Sequence, residues 1–234
     1  VAPPSASAPI AASAPTPTPK TVLIEEYGDS TTLGTEAVNG VGQVTANNEP
    51  VELQKLLQGQ FGSTVTISNQ GVSGTEASQL LNGIDGVHPT WVNQMAQSKA
   101  QIVTLNFALN DAYHSVVLQD GIVPESPSEY ALYMTQLVQI AKSAGKQVII
   151  YEPNPSCELV REPLMPSYVV ALQAVASSED VPIVGEYQAI LALPGWQAML
   201  TDCVHPGDAL YAIKAQLEAP IVAPLVKSII GGQS

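Results

Sequence analysis

The sequence predicts a three-layer α/β/α sandwich around a central five-stranded parallel sheet. Five short runs rich in Val, Ile and Leu recur along the chain. Segments with helical apolar spacing separate these runs, so successive strands are joined by crossovers and run parallel. Apolar residues make up 45% of the 234, enough to cover such a sheet on both faces. Ligands of open parallel sheets collect at the carboxyl ends of the strands, so functional residues are expected just after strands one, two and three.

The first strand, residues 21–27, reads TVLIEEY and ends at Gly28. Residues 50–61 carry Val51, Leu53, Leu56, Leu57 and Phe61 at near-helical spacing, with Pro50 suited to a first helical turn. Strand two is residues 64–68. Short helices are expected at 75–81 and 90–99, the latter capped by Thr90, before strand three at 101–107. The clearest helix opens with the capping box Ser126-Pro127-Ser128-Glu129 and closes at Gly145. Strand four is 147–151, a helix spans 165–177, a short edge strand lies at 181–184, and two helices finish the chain. The adjacent Glu25 and Glu26 are odd in a central strand, because at least one points inward where an unpaired charge is costly. A donor such as Arg161, a backbone amide or a wet strand end would each answer this.

Residues 1–20, VAPPSASAPIAASAPTPTPK, are Ala, Pro and Ser with almost no charge and cannot build a core. They read as an extended spacer, and the folded domain is expected over 21–234. Spacers of this kind follow a removed signal peptide or a lipid anchor, so export to a periplasmic or extracellular location is expected. A loose terminus of a cytosolic protein is the alternative. No uninterrupted apolar run approaches the roughly 20 residues needed to span a bilayer. Acidic residues outnumber basic ones 21 to 8, for a formal charge of −13, which argues against nucleic acid and anionic membrane surfaces as partners. Cys157 and Cys203 suggest a disulfide in an exported chain; two free thiols are the alternative. The three His residues show no ligand-like spacing, the Cys residues form no CxxC, and there is no phosphate-binding glycine loop, so neither metal nor cofactor is expected.

The chemistry is read from four short blocks. Gly28-Asp29-Ser30-Thr31-Thr32-Leu33-Gly34 places a serine between a strand end and a helix start, a position for either a nucleophile or an N-cap. Asn69-Gln70-Gly71-Val72-Ser73-Gly74 follows strand two, with two glycines allowing close backbone approach. Ala108-Leu109-Asn110-Asp111 follows strand three and offers an amide donor. Asp202-Cys203-Val204-His205-Pro206 sets an Asp three residues before a His, so the carboxylate can hold the ring tautomer whose Nε2 accepts a serine proton.

In order and placement these blocks resemble those of the SGNH/GDSL hydrolase superfamily, which read GDSxTxG, NxGxxG, GxND and DxxHP. The resemblance spans about residue 21 to the C-terminus and departs at Ala108, where the family has Gly. It implies Ser30 as nucleophile, His205 as base and Asp202 as its orienting partner. It also implies an oxyanion hole made by the N–H groups of Ser30 and Gly71 and the side-chain amide of Asn110. Asp29 is expected to brace the turn. Asp85-Gly86-Val87-His88-Pro89 matches the last block equally well but falls between two helices, so His88 is read as a turn residue. His114, close after Asn110, is expected either to touch substrate or to lie on the surface. The reading is a serine esterase acting on short, acetyl-like esters of a small molecule or carbohydrate. An O-acyltransferase on envelope polysaccharide, using the same residues, is the second reading. A binding protein that has lost turnover is the third, and the presence of Ser30, Asn110 and His205 speaks against it.

Overall fold

The computed structural model describes residues 20–232, so the spacer expected over 1–20 lies, but for Lys20, outside the described residues. Five parallel strands form the sheet: β1 (Val22–Gly28), β4 (Val65–Asn69), β5 (Ile102–Asn106), β6 (Gln147–Tyr151) and β7 (Ile183–Val184). Their spatial order is β4-β1-β5-β6-β7, which reverses direction between β1 and β5. That reversal opens a crevice at the carboxyl ends of β1 and β5, where a doubly wound sheet binds its ligand. The five expected strands are all present, each within two residues of its expected start.

Helices cover both faces. On one side α3 (Ala77–Asn82), α4 (Trp91–Gln97), α6 (Pro127–Ser143) and α7 (Met165–Glu179) enclose a core containing Tyr27, Trp91, Leu105, Leu137 and Leu172. On the other, α2 (Glu49–Phe61) and α9 (Asp208–Gly231) bury Ile24, Leu53, Ile149 and Val222. Local chemistry sets the helix ends. Asn48 caps α2 through Val51 N–H, Pro50 sits in the first turn, and Ser126 with Glu129 closes the expected capping box on α6. Helix α9 is long and apolar enough to cross a bilayer, but here it packs on α2 and the sheet.

Two elements escaped the sequence reading. Strands β2 (Thr35–Val38) and β3 (Val41–Val44) form an antiparallel hairpin whose turn residues Asn39 and Gly40 have φ of 54° and 76°. Asn-Gly between two Val residues is the signal for it, since both central positions of this tight turn need positive φ. The second is the short helix α5 (Leu109–His114) after β5, whereas the helix start expected at Ser30 is the four-residue α1 (Ser30–Leu33), capped by Asp29.

Candidate active site

Ser30 opens α1 directly beyond β1. The close approach of that turn to the sheet requires Gly28, where a Cβ would stand 2.5 Å from Asn106 O and 2.1 Å from Thr32 Oγ1. Asp29 accepts Thr31 N–H at 2.8 Å and the Thr31 hydroxyl at 2.9 Å, so it braces the turn as expected. Burial pushes the Asp29 carboxyl up in pKa, and the two bonds from Thr31 oppose this only in part.

His205 Nε2 lies 2.8 Å from Ser30 Oγ, across 175 residues of sequence. Its Nδ1 lies 2.7 Å from Asp202 Oδ2, while Asp202 Oδ1 accepts the N–H groups of Val204 and His205 at 3.1 and 2.8 Å. Burial raises the Asp202 pKa, but the hydrogen bonds from His205 and Val204 and the His205 charge outweigh it and hold the carboxyl below its ordinary value. An ionised Asp202 accepts Nδ1–H, leaving the Nε2 lone pair toward the Ser30 hydroxyl.

The segment carrying His205 is fastened from beneath. A disulfide joins Cys203 to Cys157, and Cys203 O accepts Cys157 N–H at 2.9 Å and the Ser156 hydroxyl at 2.8 Å. Asn154 Nδ2 donates to Val204 O at 3.0 Å, and Thr201 N–H donates to His205 O at 2.8 Å. Cys203 has φ of +71°, a conformation that ordinary side chains avoid, and these bonds pin it there.

Asn110 lies on α5 (Leu109–His114), across the crevice from Ser30. Its Nδ2 donates to Thr75 O at 3.0 Å and stands 3.5 Å from Asp29 Oδ2. Gly71 differs from expectation. Its N–H donates to Asn69 Oδ1 at 2.9 Å, so it is not free for an oxyanion. What Gly71 supplies is close packing, because a Cβ there would stand 2.3 Å from Leu33 N. Among the described residues the N–H groups of Ser73 and Gly74 find no such partner, and Gly74, with φ of +78°, has open space beside it. His114 is 6% exposed and its Nδ1 lies 3.2 Å from Val117 O, so no hydrogen bond brings it to Ser30, His205 or Asn110.

The sequence profile of the GDSL-like lipase/acylhydrolase family matches residues 27–213. The chain belongs to this family. As a GDSL-type hydrolase it shares its fold with solved structures at low identity. A lipase/acylhydrolase of Enterococcus faecalis is 18% identical, covering 88% of this chain and 97% of its own, with a TM-score of 0.66. The acetylxylan esterase Axe2 of Geobacillus stearothermophilus is also 18% identical, covering 92% and 96%, with a TM-score of 0.62. No curated protein sequence matches the chain.

The puzzle of Glu25 and Glu26 resolves without Arg161, which instead donates to Leu109 O and pairs with Glu158. Glu25 accepts the Tyr27 and Ser98 hydroxyls at 2.8 and 2.7 Å. Glu26 turns to the other face, into a fully buried group with Glu49, Glu186, Glu218 and Lys214. Carboxylate oxygens of Glu49, Glu186 and Glu218 come within 4.8 Å of one another, and the Lys214 ammonium contacts Glu49 and Glu186. That ammonium already brings positive charge to the only potential metal-binding cluster among the described residues.

Proposed function

We propose that this GDSL-type hydrolase is a serine esterase that cleaves short acyl esters through an acyl-enzyme on Ser30. The observation that carries the reading is the continuous relay Ser30 Oγ–His205 Nε2–Asp202 at 2.8 and 2.7 Å. Ser30 Oγ attacks the acyl carbon while its proton passes to His205 Nε2, and Asp202 steadies the imidazolium. The oxyanion is met by Ser30 N–H and the second N–H of the Asn110 amide. A third donor comes from the Ser73–Gly74 turn, with Gly74 taking the role expected of Gly71. Collapse expels the alcohol, which takes the proton from His205. Water then repeats the sequence, releasing the carboxylic acid and restoring the Ser30 hydroxyl.

A carbohydrate acetyl ester fits this reading, as Axe2 illustrates on a similar fold. The disulfide supports export to an oxidising compartment. The test is hydrolysis of p-nitrophenyl acetate, butyrate and octanoate by the wild type and Ser30→Ala. Turnover that favours the shorter esters and vanishes in the variant is expected. Equal rates in both proteins, or none in either, would overturn the assignment.

A further inference from the structure

Asp85–Pro89 repeats the Asp202–Pro206 motif in sequence, and the structure builds both the same way. Asp85 Oδ1 accepts the N–H groups of Val87 and His88 at 2.9 and 2.8 Å, and Asp85 Oδ2 stands 2.7 Å from His88 Nδ1. The corresponding Asp202 distances are 3.1, 2.8 and 2.7 Å. The two motifs part at Nε2. His205 Nε2 faces Ser30 Oγ, whereas His88 Nε2 lies 3.1 Å from Gln70 Oε1. The His88 and Asp85 side chains are also far less exposed, 5% and 2% against 21% and 37% for His205 and Asp202.

Gln70 belongs to the turn after β4 that holds Gly71 and Gly74. Its other side-chain atom, Nε2, donates to Ser68 Oγ at 2.7 Å. The His88 ring is backed edge-on by Tyr27 with centroids 5.4 Å apart, and Tyr27 is backed in turn by Trp91 at 4.7 Å. On its inner side the turn is tied to the Ser30 turn, because Val72 N–H donates to Gly28 O and Asn69 Nδ2 to Thr32 O, both at 2.9 Å. Against the same turn lies a 290 Å³ cavity, bounded by Leu33, Gly71, Val72 and Ser73 and by Val87 and His88. Packing is thin there, and the Gln70–His88 bond spans the gap. A buried Asp–His pair costs desolvation that an apolar pair of equal volume avoids, so filling space does not account for it. Turning the Gln70 amide over lets the bond form with either protonation state of the ring.

We infer that His88, oriented by Asp85, is a positioning residue that acts through Gln70 to hold the 69–74 turn, and with it the backbone oxyanion donor, against Ser30. The inference rests on the esterase reading. A turn with two glycines has unusual backbone freedom, and an oxyanion donor acts only when it is already aimed. Releasing the latch therefore weakens transition-state binding and leaves substrate binding nearly unchanged.

Steady-state hydrolysis of p-nitrophenyl acetate by wild type, His88→Leu, His88→Gln, Gln70→Ala and the His88→Leu/Gln70→Ala double variant tests this. His88→Leu and Gln70→Ala are each expected to lower kcat about 10-fold with KM within about twofold, since the interaction strengthens only in the transition state. The double variant should lose little beyond either single change, because both break one bond. His88→Gln, whose amide still reaches Gln70, should recover most of the rate. A kcat for His88→Leu within twofold of wild type, a loss confined to KM, or multiplying losses in the double variant would overturn the proposal. Thermal melts identify a His88 variant that does not fold, and Gln70→Ala with the kcat/KM split then decides. If wild type hydrolyses no ester, the esterase reading falls. The latch is then read from the Gly71 and Gly74 amide resonances, which must shift alike in His88→Leu and Gln70→Ala; unmoved resonances sink it.

Discussion

Ala108 sits at φ of +136° and is fully buried at the entrance to α5, directly before the helix that presents Asn110. A Cβ in that region of backbone space costs on the order of 1–3 kcal/mol, whereas glycine adopts it freely at a smaller entropic cost. Ala108→Gly is therefore expected to raise unfolding free energy by about 1 kcal/mol, read by urea denaturation. A loss of stability would mean that the buried methyl contributes more than the strain removes. Asn110→Ala tests the neighbouring position, with an expected fall in kcat of about 10²–10³-fold and little change in KM. At this scale Ser30 and Asn110 were legible as short blocks directly after β1 and β5, and Asp202 and His205 through their own three-residue spacing, since no strand of the sheet leads into them. The sequence did not show that the Gly71 N–H is taken by the Asn69 side chain, because that bond depends on how the turn folds back on itself.

The element that governs the site is the segment from Thr201 to Gly207, which has no regular structure of its own among the described residues. Its shape comes from the Cys157–Cys203 bridge, the Asn154 and Ser156 side chains and the Leu200–Pro206 pairing. The bridge closes a separation of 46 residues, for which chain entropy gives about 4 kcal/mol of stabilisation. Replacing both cysteines by Ala should lower the unfolding free energy by about 2–4 kcal/mol. It should also lower kcat, because His205 stands two residues from Cys203; full activity in the unbridged variant, assayed well below its melting point, would show that the other bonds suffice. Strands and long helices were readable from periodicity and capping, as the Ser126 box on α6 illustrates. The hairpin β2–β3 was not, since its strands are four residues each and largely exposed, so no apolar alternation announces them. The disulfide was suggested by an even cysteine count in an apparently exported chain, whereas its 46-residue loop closes only through the tertiary fold.

Across the molecule, buried carboxyls outnumber their counter-charges. Glu26 from β1, Glu49 from α2, Glu186 opening α8 (Glu186–Leu191) and Glu218 from α9 share the single ammonium of Lys214, with Tyr151 from β6 beside them. A second group gathers Glu76, Asp111 and Glu125 behind Asn110. Burial drives the carboxyls of Glu26, Glu186, Glu218, Glu76, Asp111 and Glu125 upward. Glu186 is pushed up to about 7 and Glu76 to about 8, while Glu26, Glu218 and Asp111 are raised well above their ordinary values. A carboxyl with a raised folded pKa keeps its proton when the unfolded chain has lost it. Its contribution to stability is complete below the unfolded value near 4.5 and fades as pH rises through about 7 to 8. Each such group removes up to about 1.4 kcal/mol per pH unit over that span. Asp202 and Asp208 act oppositely, because their lowered values give up stability only as pH falls below about 3.8. The melting temperature should therefore peak in mild acid and fall by more than about 5 °C between pH 5 and pH 9. Growing repulsion within a chain of charge −13 would bend the curve the same way, so Glu218→Gln separates local from global causes. That variant keeps the side-chain volume and removes one titrating group. It should melt close to wild type at pH 5 and above it at pH 9. Parallel curves for the two proteins would place the alkaline loss in overall charge, whereas convergence toward acid and separation toward alkali would place it in the protons held beneath β1.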